Sequence, residues 1–115
     1  MMTNREKTAE YKQMRFPMGL FRIRNTVNGK TFTDSGLNMP ARWNRHRFQL
    51  NLGNHPDQNL QQDWKDFGES AFIYEVVAEL DYDPARPERD YRADVEALRD
   101  LWFEENGADK SGGYR

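Results

Sequence analysis

Arg42, Arg45, His46 and Arg47 fall within two turns of one predicted helix. A guanidinium offers a planar fork of N–H donors that matches phosphate oxygens. A histidine can orient a phosphate or pass a proton near neutral pH. Positions 42 and 46 are four apart and therefore share a helix face. The chemistry this points to is the holding of a phosphate, with a solvated basic face as the plain alternative. Arg22 and Arg24 alternate on one side of a predicted strand, where they either flank a nucleic-acid groove or face water. His55 precedes Pro56 at a helix start, as a ligand contact or as a capping residue. Glu75, inside an apolar strand, requires a partner if it is buried. Trp43, Trp64 and Trp102 recur beside helical core positions and read as packing rather than base stacking. Gly107, Gly112 and Gly113 either end the last helix or form a phosphate nest.

The elements that must position these groups follow from local pattern. Arg5 to Met14 reads as a short helix, broken at Phe16 because Pro17 disfavours helix before it. Leu20 to Asn25 alternates as a strand, and a second strand runs from Lys30 to Asp34. Between them, Asn28-Gly29 is a strong hairpin signal, since both residues tolerate positive φ. Asn38 caps a helix over Met39 to Leu52, with Pro40 in its first turn. A further helix begins near Pro56 and carries Leu60, Trp64 and Phe67, ending at Gly68. Phe72 to Leu80 is the best-defined strand. After an acidic loop with Pro84 and Pro87, a last helix over Tyr91 to Asn106 places Val95, Leu98 and Trp102 on one stripe. So few strands cannot make a doubly wound sheet. The economical solution is an α/β layer whose three-stranded sheet combines the hairpin with the later strand.

Composition bounds the partners. With 115 residues, 37% hydrophobic, 31% charged and 13% aromatic, the chain suits one globular domain, residues 1–115. It has no cysteine, which excludes disulfides, thiolate catalysis and cysteine zinc sites and fits a cytoplasmic protein. No stretch is long and apolar enough for a membrane span, and "MMTNREKTAEYK" lacks the apolar centre of a signal peptide. The net charge of −2 conceals an asymmetry: residues 1–65 carry 11 Lys and Arg against 5 Asp and Glu, and residues 66–115 carry 6 against 14. A local positive face can attract a phosphate backbone despite the acidic mean. Alternatively, the two halves neutralise each other on folding.

Several blocks at consistent separations resemble the GIY-YIG nuclease superfamily, particularly its small bacterial stand-alone members. The likeness extends from Phe16 to Arg115. In "MGLFRIRNTVNGKTFTDSGLN", Gly19-Leu20-Phe21 falls on Gly-Ile-Tyr and Phe32-Thr33-Asp34 on Tyr-Ile-Gly. In "ARWNRHRFQLNLGNHPDQNLQQDWKDFGESAFIYEVVAEL", Arg42 matches the family's catalytic arginine. His46 matches a nearby helical position that is often His or Tyr. "LWFEEN" and the closing "GGYR" match a late helix and a Gly-Tyr-Asn ending. The resemblance implies a small α/β domain with a three-stranded antiparallel sheet flanked by helices. It implies DNA as partner, and hydrolysis of DNA phosphodiesters with one divalent metal, Mg²⁺ or Mn²⁺, held by a glutamate of the last helix.

Departures from the family pattern fall on that chemistry. Phe21 and Phe32 replace the two tyrosines and remove both hydroxyls. Asp34 replaces a glycine, and reads as a turn residue or an ion-pair partner of Arg99 or Arg42. Arg115 replaces the terminal asparagine. Arg99 stands where the metal-binding glutamate is expected, and a cation cannot ligate a cation. Glu96, on the same helical face, is the candidate for a relocated ligand, with Asp100, Asp34 and Glu75 behind it. Arg99 could instead substitute a fixed positive charge for the metal's. The expected site is thus Arg42, His46, Phe21, Phe32 and Arg99 at the chemistry, and Arg22, Arg24, Arg45, Arg47 and His55 as added nucleic-acid contacts. Two functions follow: a metal-dependent DNA endonuclease with reduced or absent cleavage, or a catalytically inactive module that binds nucleic acid or a protein. If inactive, it needs no cofactor, and the acidic C-terminal half offers a surface for a protein partner.

Overall fold

β1 (Met18–Asn25) and β2 (Thr31–Gly36) form an antiparallel hairpin, and β3 (Phe72–Leu80) pairs antiparallel with the other edge of β1. The strand order is therefore β2-β1-β3. Helices α1 (Met39–Leu52), α2 (Gln58–Phe67) and α3 (Tyr91–Asn106) complete the chain, with a single 3₁₀ turn at Glu69–Ala71. This computed structural model describes residues 16–87, 89–106 and 114. The helix expected over Arg5 to Met14, the glycines at 107, 112 and 113, and Arg115 lie outside the described residues. No helix among the described residues is long and apolar enough to cross a membrane.

Strand alternation divides the sheet into two faces. Phe21, Ile23 and Phe32 point to one face and join Met39 and Leu50 of α1, Leu60 and Trp64 of α2, and Phe72 in the main core. Fully burying each such side chain contributes roughly 1.5–3 kcal/mol. The opposite face carries Leu20, Thr33 and Ser35, all buried, and α3 packs on β1 and β2 with Val95 as its buried residue. Leu98 and Trp102, expected on the same stripe, are only half buried.

Gly19, the second residue of β1, stands where no side chain fits. Its φ is +144°, and a Cβ built there would lie 2.1 Å from the Ala78 carbonyl oxygen of β3. One residue later the β1–β3 pairing slips, Leu20 facing Ala78 while Phe21 faces Val76, so that Val77 is left over as a bulge.

The hairpin loop differs from the two-residue Asn28-Gly29 turn that the sequence suggests. Asn25 closes against Lys30 across four residues, and the Gly29 N–H donates to the Asn25 carbonyl. Gly29 supplies a positive φ there, at +78°. The longer loop wins because the Asn25 side chain is fully buried and organises it. Its Oδ1 accepts from Val27 N–H, and its Nδ2 donates to the Tyr114 hydroxyl at 2.9 Å. Tyr114 in turn donates to Asp63 of α2 at 2.6 Å, and its N–H donates to the Thr31 carbonyl. The chain's penultimate residue thereby locks the hairpin to α2.

Candidate functional site

α1 is aimed by its first turn. The Asn38 side chain accepts from Ala41 N–H, and Met39 N–H donates to the Pro17 carbonyl, anchoring the helix start beside β1. Met39 and Leu50 bury one face. Arg42 and His46, one turn apart, are thereby turned toward the end of β2, where Asp34 stands opposite Phe21.

Asp34 is where they meet. Its Oδ2 accepts from Arg42 Nε at 3.0 Å and lies 2.7 Å from His46 Nε2, while Oδ1 accepts from Ser35 N–H at 2.8 Å. Burial pushes the Asp34 carboxyl up, but the hydrogen bonds from His46, Ser35 and Arg42 and the nearby guanidinium charge outweigh it. Together they bring the group down to about 2, so it is ionised at neutral pH. His46 is enclosed by aromatic rings, with Phe32 edge-on at 5.1 Å and Phe21 at 6.1 Å between centroids. Its Nδ1 lies 2.9 Å from His55 Nε2.

Beside this group lies a cleft of about 260 Å³, lined by Ser35, Gly36 and Leu37 after β2, by Arg42, and by Arg92, Val95, Glu96 and Arg99 of α3. β2 is an edge strand, so α1 from one face and α3 from the other meet around it. Arg92, Glu96 and Arg99 follow helical spacing and present one face. Arg99 also hydrogen-bonds to exposed Asp100 at 3.2 Å. The chemical character of the cleft is three guanidiniums and one carboxylate.

That donor set does not fit a divalent cation. Among the described residues no group of three or more His, Asp or Glu side chains is arranged to hold a metal. Mg²⁺ accepts as few as one or two carboxylates completed by water and phosphate. Here the lone Glu96 stands among three guanidiniums, and both Asp34 oxygens are already occupied by N–H donors.

Of the residues expected from sequence, Arg42, Arg99 and Glu96 come together in the cleft, with His46 behind Arg42. Others are placed elsewhere. Phe21 and Phe32 are 0% and 1% exposed, so they wall in the histidine and cannot touch a substrate. His55 is buried at 6% exposure, facing His46 rather than any ligand. Arg22 and Arg24 both bond Glu75 Oε1, at 3.0 and 2.8 Å, which satisfies the partner that Glu75 required. Arg24 foremost, with Arg22, holds the Glu75 carboxyl below its usual range against a smaller opposing effect of burial. Arg47 pairs with Glu69 at 3.3 Å and lies over Trp43, while Arg45 is exposed. None of these four arginines lines the cleft. Arg92 was not anticipated, although it lies seven residues before Arg99 and so on nearly the same helical face.

Comparison with known proteins bears on this arrangement. The chain superposes on the catalytic domain of the homing endonuclease I-TevI with a TM-score of 0.65 and 25% identity, covering 84% of this chain and 95% of that domain. A point mutant of the same domain gives 0.68, also at 25% identity, over 87% and 93%. In sequence, 65 residues are 31% identical to intron-associated endonuclease 1 of Enterobacteria phage T4, covering 56% of this chain. The chain belongs to the GIY-YIG superfamily. No protein-family model matches it. The matched stretch spans only 26% of the phage protein's length. By this kinship the GIY-YIG chain is a nuclease-family protein. Within that fold, its cleft combines Arg42 with Arg92 and Arg99 where a metal-binding carboxylate was expected.

Proposed function

We propose that this domain binds the phosphodiester backbone of DNA in the cleft between β2, α1 and α3, with metal-assisted hydrolysis reduced or absent. The observation that carries the reading is the convergence of Arg42, Arg92 and Arg99 on one cleft beside a single carboxylate. With its Nε held by Asp34, Arg42 keeps its two terminal nitrogens for a phosphate. Arg99 supplies at a fixed position the positive charge that a cation would otherwise bring, but it cannot activate water. His46 orients Asp34. The likeness to an endonuclease catalytic domain supports DNA as the ligand class. The same likeness favours a second reading, in which DNA is cleaved slowly with Mg²⁺ or Mn²⁺ and Glu96 contributes.

Binding and cleavage are separated by one experiment. The purified chain is titrated onto single-stranded, duplex and branched DNA at several salt concentrations, in Mg²⁺, Mn²⁺ or chelator, with R42A, R99A and E96A in parallel. Binding should survive chelation and fall with salt at a slope of about −1 to −2 in log units, as expected for one or two phosphates. It should drop roughly tenfold in R42A and in R99A, the loss of one charge-assisted hydrogen bond. Binding unchanged by both substitutions would remove the phosphate site. Metal-dependent cleavage abolished in E96A would establish the second reading instead.

A further inference from the structure

A row of polar contacts runs inward from the cleft: Arg42, Asp34, His46, His55 and the backbone amide of Asp57 at the start of α2. Asp57 N–H donates to His55 Nδ1 at 3.0 Å. A backbone amide can only donate, so His55 Nδ1 carries no proton and neutral His55 has its proton on Nε2. That Nε2–H faces His46 Nδ1 at 2.9 Å, which must then accept, leaving the His46 proton on Nε2. His46 Nε2–H in turn donates to Asp34 Oδ2 at 2.7 Å, the oxygen that also receives Arg42 Nε. The two imidazole tautomers are therefore the ones that the Asp57 amide demands at one end of the row and that the ionised Asp34 carboxylate accepts at the other.

We propose that His55 is a positioning residue: it fixes His46 as the Nε2–H tautomer, and through His46 and Asp34 it holds Arg42 facing the cleft. The proposal rests on Arg42 being the phosphate ligand, and it gives His55 a role quite different from a nucleic-acid contact. Three further features keep the row in place. His55 N–H donates to Gln61 Oε1 at 2.9 Å, and Gln61 Nε2 donates to the Leu50 carbonyl at 3.0 Å, which ties the loop before α2 to the end of α1. The Phe32 ring is edge-on to both imidazoles, at 5.1 and 5.5 Å. In so dry a setting the opposite tautomer of His46 would place an N–H against the His55 N–H and a bare nitrogen against the carboxylate, a double mismatch. Asp34, a departure from the family's glycine, is what gives the row its outer end.

The test needs no DNA. Long-range ¹H–¹⁵N spectra of the full chain at neutral pH should show both His46 and His55 as Nε2–H tautomers, and the Arg42 Nε–H should exchange slowly with water. In H55F, which removes the donor to His46 Nδ1, His46 should become a mixture of tautomers and Arg42 Nε–H exchange should accelerate about tenfold. H55Q, whose amide can donate to His46 and accept from Asp57, should restore both signals. A Nδ1–H tautomer for His46 in the unsubstituted chain would overturn the proposal, and that measurement stands even if H55F does not fold. Unchanged tautomer and exchange in folded H55F would overturn it equally. Correct tautomers together with no DNA binding would instead condemn the phosphate site and leave the row intact.

Discussion

Replacing Asp34 with Asn isolates the charge on which Arg42 and His46 converge while keeping the shape of the side chain. The carboxyl moves from an ordinary 3.8 to about 2 in the fold. At about 1.4 kcal/mol for each tenfold change in proton affinity, ionised Asp34 stabilises the fold by about 2 kcal/mol at neutral pH. Because the folded value lies below the unfolded one, this contribution is fully present above about pH 5 and is lost as pH falls through 2. About half of it remains at pH 3. Urea denaturation of the unsubstituted chain and D34N should therefore differ by about 2 kcal/mol at pH 7, and the gap should narrow to about 1 kcal/mol at pH 3. In an R42A background the pH 7 gap should shrink, because Arg42 provides part of the stabilisation. Equal stability of the two proteins at pH 7, or a difference that does not diminish in acid, would refute the account of Asp34 as an ionised hub.

Three other outcomes follow from particular contacts. G19A should lose on the order of 3 kcal/mol, since it adds a Cβ 2.1 Å from the Ala78 oxygen at a strained φ; a thermal shift of under 2 °C would show that β3 yields. Y114F should cost about 1–3 kcal/mol by leaving buried Asn25 without its acceptor, measured by urea denaturation. In the unsubstituted chain, burial foremost and the bond to Asp63 push the Tyr114 hydroxyl up to about 12, against a smaller lowering by Asn25. Its contribution is therefore complete below pH 10 and fades as pH rises through 12, and ultraviolet titration should find a late-ionising tyrosine that is missing from Y114F. R99E should weaken DNA binding more than R99A, because it also adds a negative charge to the cleft; equal losses would mean that Arg99 does not meet phosphate.

The elements were legible because their signals are local. Asn38 with Pro40 marks the start of α1, Gly68 marks the end of α2, and the apolar run from Phe72 to Leu80 coincides with β3. The pairing of Arg42 with Asp34 was among the options the residues left open. What could not be read were contacts between elements distant in sequence. Nothing local to Asn25 announces that its side chain will bond Tyr114, 89 residues away, and replace a two-residue turn with a four-residue loop. His55 and His46, nine apart across a helix end, become neighbours only when the chain turns after Gly53. Arg22 and Arg24 looked equivalent to Arg42 as donors, but strand pairing sets Arg22 opposite Glu75 and commits both.

The charge of the cleft can be argued group by group. Arg42 is matched by Asp34, which His46 and Ser35 also hold. Within the cleft lining Arg92 and Arg99 face Glu96, and Arg99 is also paired with exposed Asp100 outside it. The lining groups together with Asp34 therefore sum to about +1, the complement of one phosphodiester and less than a terminal phosphate dianion needs, while exposed Asp100 is the more strongly screened by water. A divalent cation would bring the site to about +3, and it would do so among guanidiniums that lose the phosphate oxygens they could otherwise reach. Arginine at position 99 and aspartate at position 34 are thus mutually consistent: the first supplies fixed charge, and the second keeps that charge from exceeding what a single backbone phosphate can neutralise.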